Sequence, residues 1–165
     1  AAEREARRAI AIKTKEPWAQ HALAHVMLAT GRVHEGVDFL SEAQKTWVDL
    51  NSFMYTHNWW HKALFHISQG DEQAVFDAYD QHVWGVEPDY SQDQVNAISL
   101  LARMEVAGME VGARWEDVAS HMKGRARDTI QPSTSECTVR YTKPAPCSPS
   151  FLSVLRKSYT LVGPW

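Results

Sequence analysis

The sequence is poor in cysteine and has no long apolar run, and both shortages exclude classes of protein. Its 165 residues contain two cysteines, Cys137 and Cys147, too few for the disulfide framework that holds small secreted domains together. No run approaches the ~18 apolar residues of a membrane helix, and the first residues lack the apolar core of a signal peptide. We therefore expect a cytoplasmic protein with no membrane partner.

The sequence has no excess of positive charge, and it lacks the short motifs that mark the active sites of common hydrolases. Seventeen Lys and Arg residues stand against twenty Asp and Glu, for a net charge of -3, and no basic run is long enough to neutralise many phosphates. Nucleic acid is therefore not an expected partner. The sequence also has no Gly-x-Ser-x-Gly, no phosphate-binding glycine loop and no His-Glu-x-x-His motif, so none of the hydrolase classes that these motifs mark is indicated.

Apolar residues recur at helical spacing along much of the sequence. Residues 1–15 are rich in Ala, Arg and Glu, and Pro17 is expected to open a second helix that ends at Gly31. A third helix is predicted over 32–50, with Gly36 on the face that a neighbouring helix approaches. Further helices are predicted over 54–69, 72–83 and 92–107, with a short one around Trp115.

Two of these segments repeat one pattern. Gly31 and Gly70 are 39 residues apart, and each separates two predicted helices. Helix, glycine, helix is the pattern of a tetratricopeptide hairpin, here stretched beyond the usual ~34 residues. Because a hairpin cannot bury its apolar face alone, successive hairpins are expected to stack. We predict an all-α fold, a segment of α-solenoid over 1–123, followed by an irregular Pro- and Ser-rich tail over 124–165.

Several runs of the sequence are distinctive, namely EPWAQHALAH at 16–25, GRVHEG at 31–36, YDQH at 79–82, LLARME at 100–105 and GARWEDV at 112–118. The run HNWWH at 57–61 is the most specific, because Trp and His are rare. Over roughly residues 14–130 these runs resemble the tetratricopeptide repeat protein 38 family. The resemblance implies an intracellular, all-α repeat protein without a settled biochemical role. Family members are much longer, so we expect this chain to be a piece of a longer protein.

Histidine is the residue type in which chemistry is expected. Seven of the eight histidines fall between positions 21 and 82. His21 with His25, and His57 with His61, have the four-residue spacing that places two side chains on one helix face. If the first helices of successive hairpins line one groove, the two pairs converge there as an acid-base or zinc-type site, with Asp49, Asp80 and His82 as outer contacts.

The alternative is that these histidines are packing residues beside the tryptophans. On residue type and spacing alone this alternative is favoured, so we expect no metal and no cofactor. The first functional hypothesis is therefore an interaction scaffold, whose groove binds a protein or peptide; the second is a hydrolase-like enzyme or other small-ligand protein that uses the histidines. The groove candidates are His21, His25, His57, Asn58, Trp60 and His61. Self-association through exposed repeat ends is also expected.

Overall fold

Helices form most of the chain that is described by the computed structural model, which covers residues 1–122. Within that range there is no strand, so the all-α prediction is confirmed. The predicted tail over 124–165, with both cysteines, lies outside the described residues. The seven α-helices are α1 (Ala2–Ile12), α2 (Pro17–Ala29), α3 (Val33–Ala43), α4 (Ser52–Gln69), α5 (Glu72–Ala78), α6 (Ser91–Val106) and α7 (Arg114–Ser120).

Local signals set the ends of the helices that carry the candidate residues. Pro17 occupies the first turn of α2, where its missing N–H and fixed φ suit a helix start. Asn51 caps α4, since its side chain accepts a hydrogen bond of 2.8 Å from the Met54 amide. Gly70 ends α4 in the left-handed conformation at φ 73°, which glycine adopts without strain. The start of α2 and both ends of α4 are thus specified locally.

The third predicted helix is shorter than expected. It was predicted over 32–50, but α3 ends at Ala43 and is followed by one 3-10 turn, Gln44–Thr46. The turn directs Trp47 back into the core, where the side chain is 3% exposed and its indole N–H donates to Gln20 Oε1 at 2.8 Å. The segment after this helix is thus held by a long-range hydrogen bond rather than by further helical turns. The predicted helix 72–83 also changes character, because α5 gives way to one π-helical turn, Tyr79–Val83.

Helix α4 lies at the centre of the packing. It contacts α2 and α3 on one side and α5, α6 and the π-helical turn on the other. Two hydrophobic cores result. One contains Leu23, Met27, Leu40 and Phe65 and joins α2, α3 and α4. The other joins α4 to the following helices and includes Ala63, Val75, Leu100, Leu101 and Val118.

Gly36 explains why α3 and α4 approach closely. A Cβ atom at this position would overlap the ring of Phe65, which is fully buried. The sequence prediction that Gly36 admits a neighbouring helix is therefore confirmed. Helix α2 also packs against α4 and shares this core with it.

Candidate metal centre

Four histidines from two helices form one cluster. Their ligand nitrogens all lie within 4.8 Å of one another, and we call them the histidine cluster: His21 and His25 of α2, and His57 and His61 of α4. Both pairs have the spacing of one helical turn, so the two side chains of each pair share a face. The four imidazoles that the sequence singled out are thus brought together by the packing of α2 on α4.

Three of the ring nitrogens lie close together, with Nε2 of His21 in contact with the other two. Its Nε2 lies 2.9 Å from Nε2 of His25 and 3.1 Å from Nε2 of His57. The His61 ring lies against both neighbours on α2, with ring centroids 4.7 Å from His21 and 4.4 Å from His25. The cluster is therefore a direct contact between imidazole rings, with no other side chain inserted among these nitrogens.

Two aromatic rings stack on His57. Phe53 stacks on the ring at a centroid distance of 5.1 Å, and Trp60 stacks at 5.4 Å with an interplanar angle of 6°. Trp18, which is 57% exposed, packs edge-on against His21. These contacts restrict the orientations that the two imidazoles can adopt.

The second nitrogen of His57 has a partner on α6. Nδ1–H of His57 donates to Oδ1 of Asn96 at 2.9 Å. The Asn96 amide in turn donates to Thr56 Oγ1 at 3.0 Å, and the Thr56 hydroxyl donates to Asp93 Oδ1 at 3.1 Å. This buried chain of hydrogen bonds links the cluster to a carboxylate.

His61 has the least satisfied environment of the four. It is 1% exposed, and neither of its ring nitrogens has a hydrogen-bond partner among the described residues. A buried polar group without a partner costs roughly 1–3 kcal/mol. An arrangement that gives His61 a partner inside the cluster is therefore favoured energetically.

Burial keeps the four imidazoles neutral. It lowers the pKa of His21 to about 4, with smaller contributions from the nearby charges of His57 and His25. Burial is also the first cause of the lowered pKa values of His25 and His57, and it holds the pKa of His61 well below its usual range. At neutral pH the rings offer lone pairs, which is the state in which histidine binds metals.

The remaining groove candidates have different positions. Trp60 is partly buried and packs against His57 and His61. Asn58 is fully buried, and neither polar atom of its side chain has a hydrogen-bond partner among the described residues. Both residues lie on α4 with two of the four clustered histidines.

The predicted outer contacts are wrong. Asp80 pairs with Arg114 at 2.5 Å, and His82 contacts the Tyr55 hydroxyl at 2.7 Å and stacks on Trp59. Asp49 is exposed and does not belong to the cluster of His21, His25, His57 and His61. The outer contact comes instead from Asn96, which the sequence does not indicate because no local signal connects residues 39 positions apart.

Comparison with known proteins adds no assignment. No protein-family model matches this chain, and no solved structure matches it at a significant level. Within residues 1–122, none of the helices combines the length and the apolar character needed to cross a membrane.

Proposed function

We propose that this protein binds one divalent transition-metal ion of the zinc class through the histidine cluster. The main observation in support is that Nε2 of His21 lies within 3.1 Å of two other imidazole Nε2 atoms, those of His25 on α2 and His57 on α4. In this position the ion joins α2 to α4.

Hydrogen bonding alone does not satisfy this arrangement. A neutral ring nitrogen carries either one hydrogen or one in-plane lone pair. Nε2 of His21 has two nitrogen neighbours within 3.1 Å, so it forms a well-aligned hydrogen bond with one of them at most. A cation that accepts all the lone pairs satisfies every ring at once, including the otherwise unpartnered His61.

The ligand set and spacing indicate the kind of ion. Imidazole nitrogen suits zinc, copper and nickel, whereas magnesium and calcium require oxygen ligands. In a tetrahedral zinc site, nitrogens about 2.0–2.1 Å from the metal lie about 3.3–3.4 Å apart. The cluster has nitrogen separations from 2.9 Å up to 4.8 Å, which bracket that value. Small rotations of the rings would therefore complete a four-nitrogen site.

The fold-level proposal is that the helices stack as tetratricopeptide-like hairpins. Support comes from the contacts of α2 with α3, of α4 with α5, and of α2 and α3 with α4. Glycines with positive φ, Gly31 and Gly70, follow the first helix of each hairpin, as in the repeat that the sequence resembles. Under this proposal the metal connects the first helices of two successive hairpins, and its role is to hold the repeats in register.

The earlier expectation of no bound metal rested on residue type and spacing. The geometry favours a different proposal, because four of the six groove candidates contact one another. Acid-base chemistry by the same imidazoles is the alternative use of the cluster. Binding of a protein or peptide in a groove stays a prediction from the sequence.

The proposal is tested with purified protein that carries no histidine tag. The protein is stripped with a chelator, loaded with excess Zn²⁺ and desalted, and bound zinc is measured by elemental analysis; Co²⁺ replaces Zn²⁺ for absorption spectra. We expect one metal per chain and the visible absorption of tetrahedral cobalt. His21→Gln should abolish stoichiometric binding, whereas His34→Gln, at an exposed histidine outside the cluster, should retain it.

The two variants are matched, because each keeps seven of the eight histidines. Equal metal content in both would show that binding is nonspecific and would contradict the proposal. Less than about one tenth of a metal per wild-type chain, at zinc concentrations that saturate ordinary imidazole sites, would also overturn it.

A further inference from the structure

The chain of hydrogen bonds from His57 to Asp93 has a defined direction. The Thr56 hydroxyl lies near two acceptors, namely the Asp93 carboxylate at 3.1 Å and the Phe53 carbonyl at 3.2 Å. The single hydroxyl hydrogen of Thr56 therefore goes to one of these acceptors. Its oxygen accepts from the amide nitrogen of Asn96, and this leaves Oδ1 of Asn96 to face His57.

The direction decides which nitrogen of His57 carries the hydrogen. Oδ1 of Asn96 accepts only, so Nδ1 of His57 is the protonated nitrogen. Nε2 of His57 then carries a lone pair, and it points at Nε2 of His21. The tautomer of His57 is thus imposed from α6, two helices further along the chain.

We infer that Asn96 is a positioning residue for metal binding: it holds His57 in the tautomer and orientation in which Nε2 is a ligand. The inference rests on the proposed function and adds a residue that touches no metal. A hydrogen bond to the far nitrogen of a metal-binding histidine commonly contributes 10- to 100-fold to metal affinity.

Burial makes each hydrogen bond between His57 and Asp93 hard to replace. Thr56, Asp93 and Asn96 are 0%, 1% and 5% exposed, so water does not readily replace a missing partner. Burial raises the pKa of Asp93, and the hydrogen bond from Thr56 opposes that rise. Among the described residues, the far nitrogens of His21 and His25 have no such partner, so His57 is the ligand with the imposed tautomer.

The experiment compares three variants by competitive titration of Co²⁺ and Zn²⁺. Asn96→Leu removes the acceptor and should weaken binding about 10- to 100-fold. Asn96→Asp keeps an acceptor for Nδ1–H and should bind within about threefold of the wild type or more tightly, because a carboxylate is a common partner of metal-bound histidine. Asn58→Leu is the matched control: it makes the same change at a buried asparagine of α4 that hydrogen-bonds none of the four histidines, and its affinity should stay near that of the wild type.

A second measurement needs no metal and no variant. In metal-free wild-type protein, nitrogen-15 NMR of the imidazoles should show His57 protonated at Nδ1 and bare at Nε2. The opposite tautomer would overturn the inference even if the protein binds zinc. Conversely, the expected tautomer in a protein that binds no metal would reject the proposed function, and with it the role of Asn96 in metal binding, while the tautomer of His57 would stand.

Variant stability is measured separately by urea unfolding of the metal-free proteins. If Asn96→Leu and Asn58→Leu lose the same affinity, the effect is general loosening of the core, and the inference fails. If Asn96→Leu alone loses affinity and Asn96→Asp restores it, the hydrogen bond to His57 is responsible.

Discussion

The Nε2 atoms of His21 and His57 lie 3.1 Å apart, although 36 positions separate the two residues in the chain. They belong to α2 and α4, which pack against each other. Any ion held between them therefore couples the two helices, and its binding free energy adds to the stability of the fold.

Zinc should stabilise the metal-free protein against heat. At a free concentration 100 times its Kd, a ligand that binds only the folded state adds about 2.7 kcal/mol. For a chain of this length that corresponds to a rise in Tm of about 5–11 °C. Calorimetry with and without zinc measures the rise. His25→Gln should lose most of it and His34→Gln none; an equal rise in both variants would speak against a site at the cluster.

Acid should destabilise the metal-free protein below about pH 6.5. The pKa of His21 is lowered from 6.5 to about 4 in the folded state, so the unfolded chain takes up a proton first as pH falls. Protonation therefore favours unfolding progressively between pH 6.5 and pH 4, and stability rises again as the pH returns to neutral. The Tm measured in chelator across this range should fall, and the fall should be smaller in His21→Gln. A Tm that is flat over this range in the wild type is the contrary result.

Gly36→Ala should destabilise the protein, because the new methyl group would overlap the buried ring of Phe65. Overpacking of a core costs about 1–3 kcal/mol, and the better helix propensity of alanine offsets up to about 1 kcal/mol of it. Urea unfolding measures the difference. The double variant Gly36→Ala with Phe65→Leu tests the cause. If the ring is the obstacle, the double variant should recover part of the unfolding free energy that Gly36→Ala loses. If the two effects are independent, the double variant should be less stable than either single variant.

Gln20→Leu should cost about 1–3 kcal/mol of unfolding free energy. The Gln20 side chain accepts from the Trp47 indole at 2.8 Å, and its amide donates to the Thr14 carbonyl at 2.8 Å and to the Thr46 hydroxyl at 3.0 Å. Leucine leaves the buried indole N–H without an acceptor. In a double-mutant cycle with Trp47→Phe the two effects should be less than additive; full additivity would mean that the indole bond contributes nothing.

The sequence predicted those parts of the fold that depend on local signals. Pro17, Gly31 and Gly70 mark ends of α2 and α4 closely, and the four-residue spacing of the histidine pairs showed which side chains share a face. The close approach at Gly36 was also predicted correctly. Each of these features is indicated by a single residue type, such as proline or glycine, or by the spacing of residues within one or two turns.

The features that were missed depend on long-range contacts. Beyond the end of α3, Trp47 is held in the core by a hydrogen bond to Gln20, 27 positions away. The anchor of His57 comes from Asn96, an ordinary residue of α6 whose neighbours in sequence give no hint of chemistry. The wrong choice of Asp80 has the same origin, because its partner Arg114 lies 34 positions away.

The division of the interior into two cores has a consequence for how the described part of the chain melts. Trp59 packs against both cores, and α4 contributes Phe65 to one and Ala63 to the other. If α4 unfolds, both cores lose side chains that pack within them. The helices on either side of α4 should therefore unfold together. Because the two cores share α4, calorimetry should show a single unfolding peak, with no partly unfolded species at intermediate temperature.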